Sequence, residues 1–237
     1  MGKVRIDSFD VFFAGGQHLR KKTTREEGTC DLYELLGEGT LSGAIRVYHP
    51  APLTERLPLQ YVSDHPGFSV EECKSCIIWA DSIDGDYIAY NPTSNSLCLL
   101  SCGYEVVRVE ASSSAFFQLA DRYIGCFSDE PFYYFVGQSQ LLAQFTKHST
   151  RIGEMKADEI LAAIGSRLTP SDSVLNSNGF IATFDQLETM AVLVPQDFNS
   201  SQSIEEKWWM KLYFDNPQLE EDLSVLIGLV EGLGFIP

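Results

Sequence analysis

The residues best suited to chemistry lie between positions 73 and 102. Cys73-x2-Cys76 is followed by Cys98-x3-Cys102, a spacing close to the four-thiolate pattern of structural zinc. The 21-residue interval between the pairs suits such a site. The second pair does not, because it lies in an apolar run that reads as a strand, where residues four apart stand roughly 13 Å apart on one face. Both thiols reach one tetrahedral ion only if the strand ends at residues 101–103 and turns back. A redox use of Cys73-Lys74-Ser75-Cys76 needs a strand before the motif and a helix after it, whereas the "IIWA" that follows reads as a strand. Six cysteines in a chain of this size read as reduced, mostly buried thiols. Zinc held by Cys73, Cys76, Cys98 and Cys102 is the lesser alternative.

The second constellation is Asp81, Asp84 and Asp86 around Gly85. A calcium loop needs oxygens at alternate positions, a glycine at the sixth and a glutamate at the twelfth. Counted from Asp81, the glycine comes too early and the twelfth residue is Pro92. Asp84-Gly85 between two apolar runs instead matches a hairpin turn, with the carboxylates in water. A further use of the three aspartates is as a partner-facing acidic patch.

Other catalytic patterns are absent from the sequence. His18, His49, His65 and His148 show no helical metal spacing to one another or to a glutamate, and no serine occupies a G-x-S-x-G elbow. The glycines of "LGEGTLSG" lack the lysine of a phosphate loop. The expectation is a non-enzyme with no cofactor and no metal, for which a small-molecule substrate is disfavoured.

Charge narrows the partner. The chain of 237 residues carries 33 acidic and 17 basic side chains, a formal balance of -16 spread along its length. Such a field repels nucleic acid and anionic membrane and attracts a basic protein, although it also serves plain solubility. The basic cluster Arg20, Lys21, Lys22 and Arg25 reads as a solvated face. No apolar run is long enough to span a membrane and the start has no leader-like pattern, so the expected location is cytoplasmic.

The elements that must position these residues follow from periodicity. Leu32 to Leu36 suit a helix end, and residues 44–48 read as a strand stopped by Pro50 and Pro52. "CIIWADS", "DYIAYNP", "SLCLLSC" and "EVVRVE" come at regular spacing with short turns, which predicts an antiparallel meander. "SSAFFQLADRYI" predicts an amphipathic helix capped by one of Ser112 to Ser114. Beyond residue 137 the composition turns helix-compatible, with a strand or two within "FIATFDQLETMAVLVPQD". Ser203 and Glu206 match a capping box opening a helix over "IEEKWWMKLYF", in which at least one of Trp208 and Trp209 is core. Asn216-Pro217 opens a final helix in which Leu219, Leu223, Leu226, Leu229 and Val230 form an apolar stripe up to Gly232.

The order of "LYELLGEGTLSGAIRVYHP", "IIWADSIDGDYIAYNP" and "LCLLSCGYEVVRVEASSSAFFQLADRYI" resembles the SUKH superfamily, named after a fungal cell-wall synthesis regulator and its bacterial relatives. Leu36-Gly37-Glu38-Gly39, Gly85-Asp86 and Ser114 to Leu119 stand where that family has a helix-ending turn, a Gly-Asp pair and a closing helix. The resemblance covers roughly residues 8–125. An "LP-x-x-Y" helix entry and a long acidic opening helix are not found. The resemblance implies an α+β domain over residues 1–137, a twisted antiparallel sheet flanked by helices. Residues 138–237 follow as a mainly helical extension, and the sequence leaves open whether it is independent or packed on the first domain. The resemblance also implies an immunity role, binding and blocking a polymorphic toxin of nuclease or deaminase type without catalytic residues. A regulatory or scaffold protein of the cell-wall synthesis type is the alternative, against which the short tails argue.

Overall fold

A computed structural model of the chain describes residues 2–6, 9–14, 36–62, 64–124, 132–137, 141–149, 156–176, 179–195, 206–214 and 220–237. The chain is α+β and divides into two compact units, one of residues 5–10 and 17–126, the other of residues 1–4, 11–16 and 127–237. Among the described residues no helix is long and apolar enough to cross a membrane. The basic cluster at residues 20–25, His18 and the helix end at residues 32–35 lie outside the described residues, as do Ser203 and the Asn216-Pro217 helix opening.

β1 (Gly2–Ile6) and β2 (Phe9–Ala14) open the chain. The unit built around residues 17–126 is a six-stranded antiparallel meander: β3 (Gly39–Leu41), β4 (Ile45–Pro52), β5 (Ile77–Ser82), β6 (Tyr87–Asn91), β7 (Ser96–Leu100) and β8 (Val106–Glu110). β5 to β8 fall where the regularly spaced apolar runs and short turns predict. β4 runs on to Pro52 rather than stopping before Pro50, because a register shift against β5 between Val47 and Ala51 excuses the prolines from the regular ladder.

Both faces of the meander are covered. One carries α1 (Leu59–Val62) and α2 (Val70–Ser75), which bury Val62 and Cys73 beside Leu53, Phe68, Ile78 and Leu100. The predicted amphipathic helix is α3 (Ser113–Ile124), with Ser112 as its cap: its hydroxyl accepts the Ala115 N–H at 3.0 Å. The buried stripe of α3 includes Phe116, whose ring lies 6.3 Å from that of Trp79 on β5.

The second unit differs from expectation. It contains β9 (Tyr133–Gly137), which runs parallel to β2, and a five-stranded antiparallel sheet in the order β10-β14-β13-β12-β11. Those strands are β10 (Leu141–Ser149), β11 (Asp172–Asn176), β12 (Gly179–Phe184), β13 (Thr189–Pro195) and β14 (Glu206–Phe214). Two helices, α4 (Ala157–Gly165) and α5 (Glu220–Gly232), accompany them. The extension is therefore not mainly helical, and "IEEKWWMKLYF" is a strand rather than a capped helix. Its period is two: Trp208, Met210 and Leu212 join the core under α4 and α5, while Tyr213 packs with Ile181, Met190 and Val192 on the opposite face. A pairing partner for every backbone group outweighs one local capping signal, and β14 has partners on both sides. Trp208 is core, as expected of at least one of the pair.

Candidate functional site

The connections β3–β4, β5–β6 and β7–β8 are tight hairpins, so all three turns gather at one end of the meander. The Ile83 N–H donates to the Ala44 carbonyl at 2.9 Å, joining the first two turns. Asp86 joins the second to the third. Its Oδ1 accepts the Cys102 N–H at 2.7 Å, and its Oδ2 accepts the Tyr123 hydroxyl from the end of α3.

The second and third turns are the same structure built twice. In residues 82–86 the Ser82 N–H donates to the Asp86 carbonyl at 2.8 Å and the Gly85 N–H to the Ser82 carbonyl at 3.1 Å. In residues 101–105 the Ser101 N–H donates to the Glu105 carbonyl at 2.9 Å and the Tyr104 N–H to the Ser101 carbonyl at 2.8 Å. Each leading serine also accepts, through its hydroxyl, the N–H two residues on: Asp84 at 3.2 Å and Gly103 at 3.1 Å. The fourth position is left-handed in both, as this bulged hairpin requires. It is Gly85 at φ +89° in one and Tyr104 at φ +67° in the other.

The three predicted aspartates separate into different roles. Asp84 is exposed at the tip, as expected. Asp81 and Asp86 are not in water: they are 8% and 6% exposed. Asp81 takes both prongs of the Arg46 guanidinium at 2.8 Å each and the Tyr48 hydroxyl at 2.7 Å, a bidentate charge-assisted pair that explains its burial. Burial, with Asp81 as acceptor, pushes the Tyr48 hydroxyl up to about 12. The hairpin reading of Asp84-Gly85 holds. The solvated-carboxylate part of it fails for two of the three because the neighbouring strand and turn bring donors that the local sequence does not contain.

An aromatic cluster lies beside these turns. The Tyr61 ring stands 4.7 Å from His65 and 6.4 Å from both Tyr87 and Tyr104, and His65 stands 5.7 Å from Tyr104. His65 is buried, with Nδ1 3.0 Å from the Tyr61 carbonyl oxygen and Nε2 2.9 Å from that of Ser101. A neutral ring donates to one of these oxygens and an imidazolium to both. Burial first, and then the nearby Cys102 and Asp86, raise the Tyr61 hydroxyl above its ordinary value. Nothing in the local sequence of Tyr61, His65, Tyr87 and Tyr104 marks them as neighbours.

The four cysteines of the zinc spacing do not come together. Cys73, Cys76 and Cys98 share the apolar core under α1 and α2, while Cys102 is exposed in the third turn. Among the described residues no group of three or more His, Cys, Asp or Glu is arranged to hold a metal ion. Hydrogen bonding between the Cys76 and Cys98 thiols raises Cys76, with burial adding to it, and lowers Cys98. The neighbouring Asp86 carboxylate raises the Cys102 thiol. His49 is exposed, with its N–H on Glu38 at 3.0 Å. The side chain of His148 lies outside the described residues.

The arrangement presents exposed apolar and acidic side chains on a rigid base, with its buried carboxylates committed to internal partners. No family model, curated protein or solved structure matches the chain.

Proposed function

We propose that this chain is a non-catalytic binding protein that recognises a basic protein partner and neutralises it, the partner being a nuclease- or deaminase-type toxin domain as the SUKH-like motif order implies. The observation that carries the reading is the balance of -16, with 33 acidic against 17 basic side chains. A field of that sign accelerates encounter with a cationic protein and disfavours anionic competitors, nucleic acid and membrane included. An enzyme that handles nucleic acid presents a cationic cleft, and occupying it with acidic side chains blocks it without chemistry. Asp84 is the one exposed carboxylate of the three aspartates; Asp81 and Asp86 support the scaffold beneath it.

The test is affinity capture of the tagged chain from its native cells at low salt, eluted by a salt ramp, with mass spectrometry of what is released. One basic protein released as salt rises, whose toxicity is relieved by co-expression of this chain, is the expected result. Binding that is indifferent to salt, or recovery of the chain alone, would refute it.

A further inference from the structure

We infer that the turn end of the meander is the surface that docks the partner, with Ile83 and Tyr104 as apolar anchors and Asp64, Asp84 and Glu105 as an acidic rim. The inference rests on the reading above that the partner is a basic protein. Ile83 is 70% exposed and Tyr104 51%, an unusual placement for two large apolar side chains on adjacent turns. The turns are separated by two strand spacings, roughly 10 Å, which brings both side chains within one protein footprint. Asp64, Asp84 and Glu105 are exposed around them. Asp64 and Asp84 form no ion pair among the described residues, and Glu105 is only loosely answered by Arg122 at 3.9 Å. Large anchors inside a charged rim are the composition of a binding hot spot, and the sign of the rim selects Lys and Arg on the partner.

Tyr104 strengthens the assignment because the turn does not need it. The same turn at residues 82–86 places glycine at the left-handed position, where a side chain otherwise costs free energy. In residues 101–105 that place goes to an exposed tyrosine, while the glycine of the segment, Gly103, stands one position earlier. Backbone strain of this kind persists where the side chain does something else; here one side of the ring lies against Tyr61 and His65 and the rest faces water. The base beneath is stiff: Asp86 and His65 tie the third turn to the second turn, α3 and the residues after α1. The occupant is therefore a protein surface offering an apolar pocket flanked by Lys and Arg.

A phage-displayed random peptide library panned on the full chain at low salt tests this whatever the identity of the partner. Enriched peptides should pair a bulky apolar residue with flanking Lys or Arg. Synthesised, they should bind Tyr104→Gly and Ile83→Ser at least about tenfold more weakly than wild type and Asp84→Lys more weakly still at low salt. Val174→Ser, in the other unit, should bind as wild type. No enrichment, acidic or neutral peptides, or peptides indifferent to Tyr104→Gly would each overturn the surface. A captured basic toxin that binds Tyr104→Gly as tightly as wild type would overturn this surface and leave the binding reading standing. Peptides that map here while no toxin is ever captured would uphold the surface and sink the neutralisation reading.

Discussion

Replacing Asp86 by alanine should loosen the end of the meander by an amount set by its two hydrogen bonds. The carboxylate is 6% exposed and accepts the Cys102 N–H at 2.7 Å and the Tyr123 hydroxyl. A hydrogen bond to a charged group contributes about 1.5–3 kcal/mol net, and an abandoned buried donor costs about as much. Cys102 is exposed, so its N–H recovers a water in the variant, whereas Tyr123 loses the acceptor that ties α3 to the turns. The expected loss is about 2–4 kcal/mol from the transition that unfolds the meander. Urea unfolding followed by far-ultraviolet circular dichroism measures it. Hydrogen exchange at the Cys102 amide should report the same opening locally. A double-mutant cycle with Tyr123→Phe isolates the tyrosine bond, with an expected coupling of about 1.5–3 kcal/mol. A loss below about 0.5 kcal/mol, the size of an ordinary surface substitution, or zero coupling, would refute the clamp.

Other substitutions separate backbone from side-chain effects. Gly85→Ala meets open space but keeps φ +89°, so it should cost about 1–2 kcal/mol, and Gly103→Ala, at ordinary φ and 3.5 Å from the Ser101 hydroxyl, clearly less. Gly179→Ala should be far worse, about 3 kcal/mol or more, because at φ +142° its Cβ would stand 2.0 Å from the Leu193 carbonyl oxygen; loss of soluble protein or a steep fall in melting temperature checks it. Tyr48 and Tyr213 stand at about 12, chiefly through burial, against about 10 unfolded. Their folded values are raised, so the stability they contribute is complete below about pH 10 and is lost as pH rises toward 12. Tyr48→Phe should flatten that alkaline decline in a pH series of thermal melts, and an unchanged slope would refute the assignment.

Much of the meander is legible in the chain. Its last four strands, the Asp84-Gly85 turn and α3 are encoded locally, by short apolar runs at regular spacing, by turn residues with left-handed preference and by a stripe at spacings of three and four. α5 follows from its Leu223, Leu226 and Val230 stripe. The five-stranded sheet is much less legible. "IEEKWWMKLYF" carries a capping signal and residues that suit either element, and only nine paired positions with β10 and a second ladder with β13 make it a strand. The site is legible in composition but not in geometry. Asp84 stands at an exposed tip, as its turn residues predict. That Asp81 and Asp86 are consumed by Arg46, Tyr48, Cys102 and Tyr123 depends on partners as far as 37 residues away. Likewise, the zinc-like spacing of the cysteines is undone by the meander itself, which leaves three thiols in an apolar core and turns Cys102 out to water. Local propensity and charge are properties of the chain; burial, pairing and the neighbourhood of Ile83 with Tyr104 arise only when distant turns close on one another.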